Sequence, residues 1–117
     1  MNEKASGQVT IAPGVLVAIV QLTTQDVPGV HAMTANWSRD VSRFLGGVNV
    51  GDGVQIQVHK EGVAIDLYVI VEQNASMLQL ARRIQKEVAR AIKEMTGMGI
   101  QEINVHITDV YYATEEP

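Results

Sequence analysis

Apolar and polar positions alternate most clearly between Val54 and Val71. Val54, Ile56 and Val58 alternate with Gln55, Gln57 and His59. Val63, Ile65, Leu67, Val69 and Val71 alternate with Ala64, Asp66, Tyr68 and Ile70. A period of two predicts two strands, each with one buried face. Glu61-Gly62 lies between them and reads as a two-residue hairpin turn. Such a turn sets Val58 opposite Ile65, Ile56 opposite Leu67 and Val54 opposite Val69, which keeps the aliphatics on one face. The other face then carries Gln55, Gln57, His59, Asp66 and Tyr68.

After this pair the period changes. Met77, Leu80, Ala81, Ile84, Val88, Ala91, Ile92 and Met95 recur at three- and four-residue spacing, which predicts a long amphipathic helix. Ser76 stands at its N-cap with Gln79 in the capping-box position, and Gly97 supplies the stop. Ile100 to Val110 alternates again, with Ile103, Val105 and Ile107 set against Glu102, Asn104, His106 and Thr108.

The N-terminal half is less regular. Gln8 to Ile11 is a short strand candidate. Pro13 suits a first helical position, because its fixed φ fits there and its missing N–H would be unpaired anyway. The helix it opens runs to about Asp26 and is apolar nearly all round over Val15 to Val20, which asks for deep burial or a second partner. Pro28-Gly29 is a turn and Val30 to Thr34 a short strand. Ser38 caps a short helix with Val41, Phe44 and Leu45 on one side. The four glycines between Gly46 and Gly53 read as a flexible loop. A right-handed crossover from the Val63–Val71 strand through the long helix to the last strand is the natural connection. The fold expected is α+β: a two-layer sandwich, with a mixed sheet of about four to five strands and two main helices packed on one face. The 117 residues make a single domain, 1–117, with residues 1–6 and 111–117 as flexible tails.

Composition narrows the chemistry. The chain has no cysteine, which removes disulfides, thiolate metal sites and cysteine nucleophiles. Its six-residue aliphatic run, Val15 to Val20, is far short of the roughly 20 residues that span a membrane. Without a signal-peptide pattern, the expected location is the cytoplasm. The three histidines, His31, His59 and His106, share no local metal-ligand spacing, so no metal or cofactor is expected. No serine lies in a G-x-S-x-G elbow, and the Gly46–Gly53 run leads into a strand rather than a helix N-terminus. No catalytic residue is assigned. A small enzyme would need His59, Asp66 and His106 to converge on the polar sheet face.

Charge is unevenly spread. The long helix carries Arg82, Arg83, Lys86, Arg90 and Lys93 against Glu87 and Glu94, a net of +3, which leaves −7 for the rest of a chain of net charge −4. Such a strip suits an acidic protein partner, anionic headgroups or RNA. The charge pattern is read first as a solvated face balanced by Glu87–Arg90 and Arg90–Glu94 pairs. The acidic total and the few aromatics argue against a dedicated nucleic-acid binder.

Taken in order, several strings resemble the alkaline shock protein 23 family, the Gls-type envelope stress response proteins of bacteria. They are Gly7-Gln8-Val9-Thr10-Ile11 before the first helix, then Pro28-Gly29-Val30 with Met33, then Gly53-Val54-Gln55-Ile56. Ile65-Asp66-Leu67-Tyr68-Val69-Ile70-Val71 follows, then Ile84-Gln85-Lys86-Glu87-Val88, Thr96-Gly97, and Ile103-Asn104-Val105 with Asp109-Val110. The likeness runs from Gly7 to Val110. It departs at Gln73-Asn74, where many relatives carry an aromatic-glycine pair, and over residues 36–52, which match no motif. The resemblance implies a small, non-enzymatic cytoplasmic protein of cell-envelope homeostasis. Self-association is a trait of the family. Some members are held at the membrane by a membrane-spanning relative, and others are linked to fatty-acid metabolism. No catalytic residues carry over.

The expectation is therefore an interaction or scaffold protein without cofactor, forming a homo-oligomer and meeting a membrane-anchored relative or an envelope-related protein. The candidate contact residues are Val17 and Val20 on the first helix and Arg82, Arg83, Lys86, Arg90 and Lys93 on the long one. The alternative is a nucleic-acid-binding module built on that basic strip, which predicts steep salt dependence.

Overall fold

Five aliphatic side chains at alternate positions, Val63, Ile65, Leu67, Val69 and Val71, are all fully buried and place one strand at the centre of the molecule. A computed structural model describes residues 6–35 and 49–113. Its elements are α1 (Pro13–Gln25), β1 (Val30–Met33), β2 (Asn49–Gly51), β3 (Val54–His59), β4 (Gly62–Glu72), α2 (Met77–Thr96) and β5 (Ile100–Tyr111).

The sheet is built around β4. One edge of β4 is shared: β3 pairs antiparallel with Gly62 to Leu67, and β1 pairs antiparallel with Val69 to Val71. Tyr68 lies between the two. Its N–H donates to the Gly53 carbonyl at 2.9 Å, and its carbonyl accepts the Thr34 N–H at 2.8 Å. The other edge of β4 pairs in parallel with β5, from Val63–Ile100 to Glu72–Tyr111. A parallel pair needs a crossover, and α2 provides it. Strand β2 extends the sheet beyond β3. The sheet is thus mixed and five-stranded, and β5 has no second strand neighbour among the described residues.

Both helices cover the same sheet face. Leu80, Ile84, Val88 and Ile92 of α2 and Leu16, Val17, Ile19 and Val20 of α1 join the inward aliphatics of β3 and β4 in one core. Pro13 stands in the first turn of α1, where its ring is favourable. The left-handed Gly97, φ 78°, ends α2 and returns its N–H to the Lys93 carbonyl. The Gln21 amide of α1 reaches the Asp52 carbonyl at 3.1 Å and ties the β2–β3 turn to the helix layer. The α+β sandwich, the mixed sheet and the one-sided helix layer are as expected from the alternation.

Several details differ. Gln8 to Ile11 forms no strand: the segment precedes α1 without pairing, and Val9 is 91% exposed. The hairpin turn is Lys60-Glu61, not Glu61-Gly62, so Ile56 faces Ile65 and Val54 faces Leu67. The shift is two residues, which preserves the buried face and leaves the alternation intact. Part of the expected glycine loop, Asn49 to Gly51, is β2. Ser76 stands at the N-cap of α2 but makes no side-chain cap bond, so no capping box forms. Met77 and Met95, at the two ends of the apolar stripe of α2, are exposed. Strand β5 runs one residue further than expected and takes in Tyr111. The short helix expected after Ser38 falls outside the described residues.

Candidate interaction surfaces

Helix α1 contacts α2 as well as strands β1, β2 and β3. This two-sided burial covers Leu16, Val17, Ile19 and Val20, which corrects the expectation for its contact residues. Val17 is 8% exposed and Val20 fully buried, so both belong to the core and neither is available to a partner. The large apolar side chains α1 presents to solvent are Val15 and Leu22, at 47% and 65% exposure.

The outer side of α2 is a different surface. Its apolar stripe faces the sheet, so Arg82, Arg83, Lys86, Arg90 and Lys93 are all exposed. Arg90 is held by two neighbours on its own helix, Glu94 at 3.3 Å and Glu87 at 3.8 Å. Arg82 donates to the Gln85 side chain at 3.1 Å. Arg83, Lys86 and Lys93 form no ion pair among the described residues. Arg83 also lines two shallow cavities where the end of α1 meets the start of α2. The larger, about 340 Å³, is shared with Thr23, Asp26, Val27, Pro28 and Glu87.

The sheet face away from the helices carries the second group. Alternation puts Asp66, Tyr68, Ile70 and Glu72 of β4 on this side, beside Glu102, Asn104, His106, Asp109 and Tyr111 of β5. His106 Nε2 lies 2.9 Å from Asp66 Oδ1, and the Asn104 amide donates to the same oxygen at 3.3 Å. The His106 ring stacks on Tyr68 with centroids 4.6 Å apart. A second cluster has the same make-up. His31 of β1 meets Glu72 at 3.2 Å and stacks on Tyr111 at 3.8 Å, nearly parallel. Between the clusters the Thr34 and Thr108 hydroxyls bond at 2.7 Å.

Of the three residues that catalysis would need, the structure brings together two. His59 pairs with Gly62, four residues along β4 from Asp66 and about 13 Å away at the strand rise. His106 and Asp66 lie on an open sheet face, with side chains 45% and 33% exposed. Among the described residues no group of three or more His, Asp or Glu is placed to hold a metal ion. The His31–Glu72–Tyr111 cluster was not foreseen. It depends on β1 docking against the far half of β4, and no local spacing in the chain signals that.

Both surfaces are extended, charged and outward-facing. The alkaline shock protein 23 family model, a family of cell envelope-related function, matches residues 1–112. The chain belongs to this family. It is 33% identical over 109 residues to the uncharacterized protein YqhY of Bacillus subtilis, covering 93% of this chain and 81% of that one. It is 28% identical over 105 residues to a stress response regulator gls24 homolog of Streptococcus pyogenes. That match covers 89% of this chain but 59% of the streptococcal protein's length. Among solved structures, a MamM CTD chain matches with a TM-score of 0.48 at 14% identity, over 82% of this chain and 93% of that one. No described helix is long and apolar enough to cross a membrane.

Proposed function

We propose that this protein is a non-catalytic interaction protein of the envelope stress response. It works by self-association and by holding protein partners, on the cytoplasmic side of the membrane. The observation that carries this reading is the family match across nearly the whole chain, to a family of cell envelope-related function. The disposition of the exposed chemistry supports it. The charged and aromatic groups lie on a helix side and a flat sheet face, both suited to another macromolecule. The His106–Asp66 pair near the centre of the sheet lies on an open face and is engaged by Asn104 and Tyr68.

A tagged pull-down from gently lysed cells without detergent, read by mass spectrometry, tests the reading. The control is Leu22→Asp, which changes an exposed apolar position and leaves the core alone. The expected result is enrichment of a membrane-spanning relative or an envelope enzyme. Recovery of RNA and ribosomal proteins that nuclease removes would overturn it in favour of nucleic-acid binding through α2.

A further inference from the structure

The two faces of the sandwich carry opposite charge. Strands β1 to β5 contain no Lys or Arg. Their charged side chains on the open face are Asp66, Glu72, Glu102 and Asp109. None of these four carboxylates meets a Lys or Arg within the described residues. Asp66 and Glu72 are engaged by histidines, and Glu102 and Asp109 form no ion pair. Every Lys and Arg in the described residues except Lys60 lies on α2. Three of the five, Arg83, Lys86 and Lys93, are equally without an ion pair there. Among the described residues, cations without an ion pair therefore lie on one side and carboxylates without a Lys or Arg partner on the other.

A protomer cannot bring these faces together, because its own helix and sheet layers lie between them. A second copy can. We propose that the exposed side of α2 in one copy docks on the open β4–β5 face of the next. This rests on the self-association proposed above and names its surface. The contact is heterologous: helix side meets sheet side, and a pair of copies keeps one free face of each kind. Such a contact propagates as an open-ended stack unless its rotation closes a ring. The dimensions allow it. Helix α2 has 20 residues and β5 has 12, giving lengths of about 30 Å and about 40 Å. The Tyr68–His106 and His31–Tyr111 stacks add flat aromatic area between the carboxylates for the long Arg and Lys stems to cover. Attraction across such a contact opposes the general repulsion expected of copies carrying −4 each.

Charge-swap sedimentation tests this. One variant carries Arg83→Glu, Lys86→Glu and Lys93→Glu, and the other Glu102→Lys and Asp109→Lys. All five positions are exposed, so both variants are expected to fold. Circular dichroism checks this, and the single changes Lys86→Glu and Glu102→Lys serve if a multiple variant does not fold. The wild type is expected to assemble at low salt, about 0.01 M, and to fall to the 12.7 kDa protomer near 1 M. Each variant alone is expected to stay monomeric, with affinity lowered at least about tenfold by like-charge contact. An equimolar mixture is expected to assemble again, because each variant then supplies the complement the other lacks. Wild-type oligomers that ignore salt and both reversals would overturn this interface and leave self-association standing. A wild type that is monomeric throughout would overturn both. Binding of a monomeric wild type to vesicles of anionic lipid, lost in the helix variant, would reassign α2 to lipid headgroups.

Discussion

Gly53 sits where the β2–β3 turn crosses the edge of β4, and replacing it with alanine has a cost that the structure resolves into parts. Its φ is +74°, and its carbonyl accepts the Tyr68 N–H at 2.9 Å, so the close approach is fixed by a hydrogen bond. A Cβ there would lie 2.8 Å from the Tyr68 carbonyl oxygen and 2.9 Å from Met33 Cβ. Neither atom can swing aside: the Tyr68 carbonyl is held by the Thr34 N–H, and Met33 Cβ belongs to β1. The left-handed conformation costs an L-residue about 1–2 kcal/mol. Overlap in a packed core adds about 1–3 kcal/mol. Gly53→Ala is therefore expected to lose about 2–5 kcal/mol of a stability of about 5–15 kcal/mol. Gly97→Ala separates the two contributions. It has φ +78°, but a Cβ there meets nothing within 4 Å, so only the first cost applies. Urea unfolding of both variants measures the difference. Thermal melts give a second reading, at about 3–6 °C for each kcal/mol in a domain of this size. Equal losses at the two positions would refute the reasoning, because they would mean that the β4 crossing adds nothing.

Other outcomes follow from burial. Val20→Asp puts a carboxylate at a fully buried position in the core and is expected to cost about 4 kcal/mol or more, seen as unfolding in native buffer or a large drop in urea midpoint. Leu22→Asp, two residues on but 65% exposed, is expected to change stability by less than about 1 kcal/mol. Thr24 is fully buried, and its hydroxyl has no hydrogen-bond partner among the described residues. Thr24→Val keeps the β-branched shape, removes that unsatisfied group, and is expected to raise stability by about 1 kcal/mol in the same urea assay.

Much of the architecture was legible because alternation and helical spacing are local. The alternate aliphatics of β4, Val54 and Ile56 of β3, and Leu80, Ile84, Val88 and Ile92 of α2 face the core as their periods require, whereas Val58, at the hairpin end of β3, is exposed. The stop at Gly97 follows from its lack of a Cβ. The hairpin register was not legible for a physical reason. A two-residue slip returns every side chain to the same face, so the pattern fits both pairings, and only the turn geometry at Lys60-Glu61 decides between them. Val17 and Val20 show a related limit. An all-round apolar helix is satisfied equally by a partner or by its own protein on two sides, and here α2 and the sheet supply both sides. Gln8 to Ile11 alternates like a strand but pairs with no sheet edge, and a sequence does not show which edges are taken.

The candidate surfaces divide the same way. The basic side of α2 could be read from the helical period alone. The carboxylate face could not, because Asp66, Glu72, Glu102 and Asp109 come together only through the parallel pairing of β4 with β5. The two histidine clusters need that pairing too, and one also needs β1 at the far half of β4.

The central claim is that this protein acts by associating through its surfaces. Sedimentation velocity of the wild-type protein at low salt, over a wide concentration series, tests that claim most directly. The account predicts a weight-average mass that climbs steadily above the 12.7 kDa of one chain as concentration rises. A mass that stays at one chain across the whole series would contradict it.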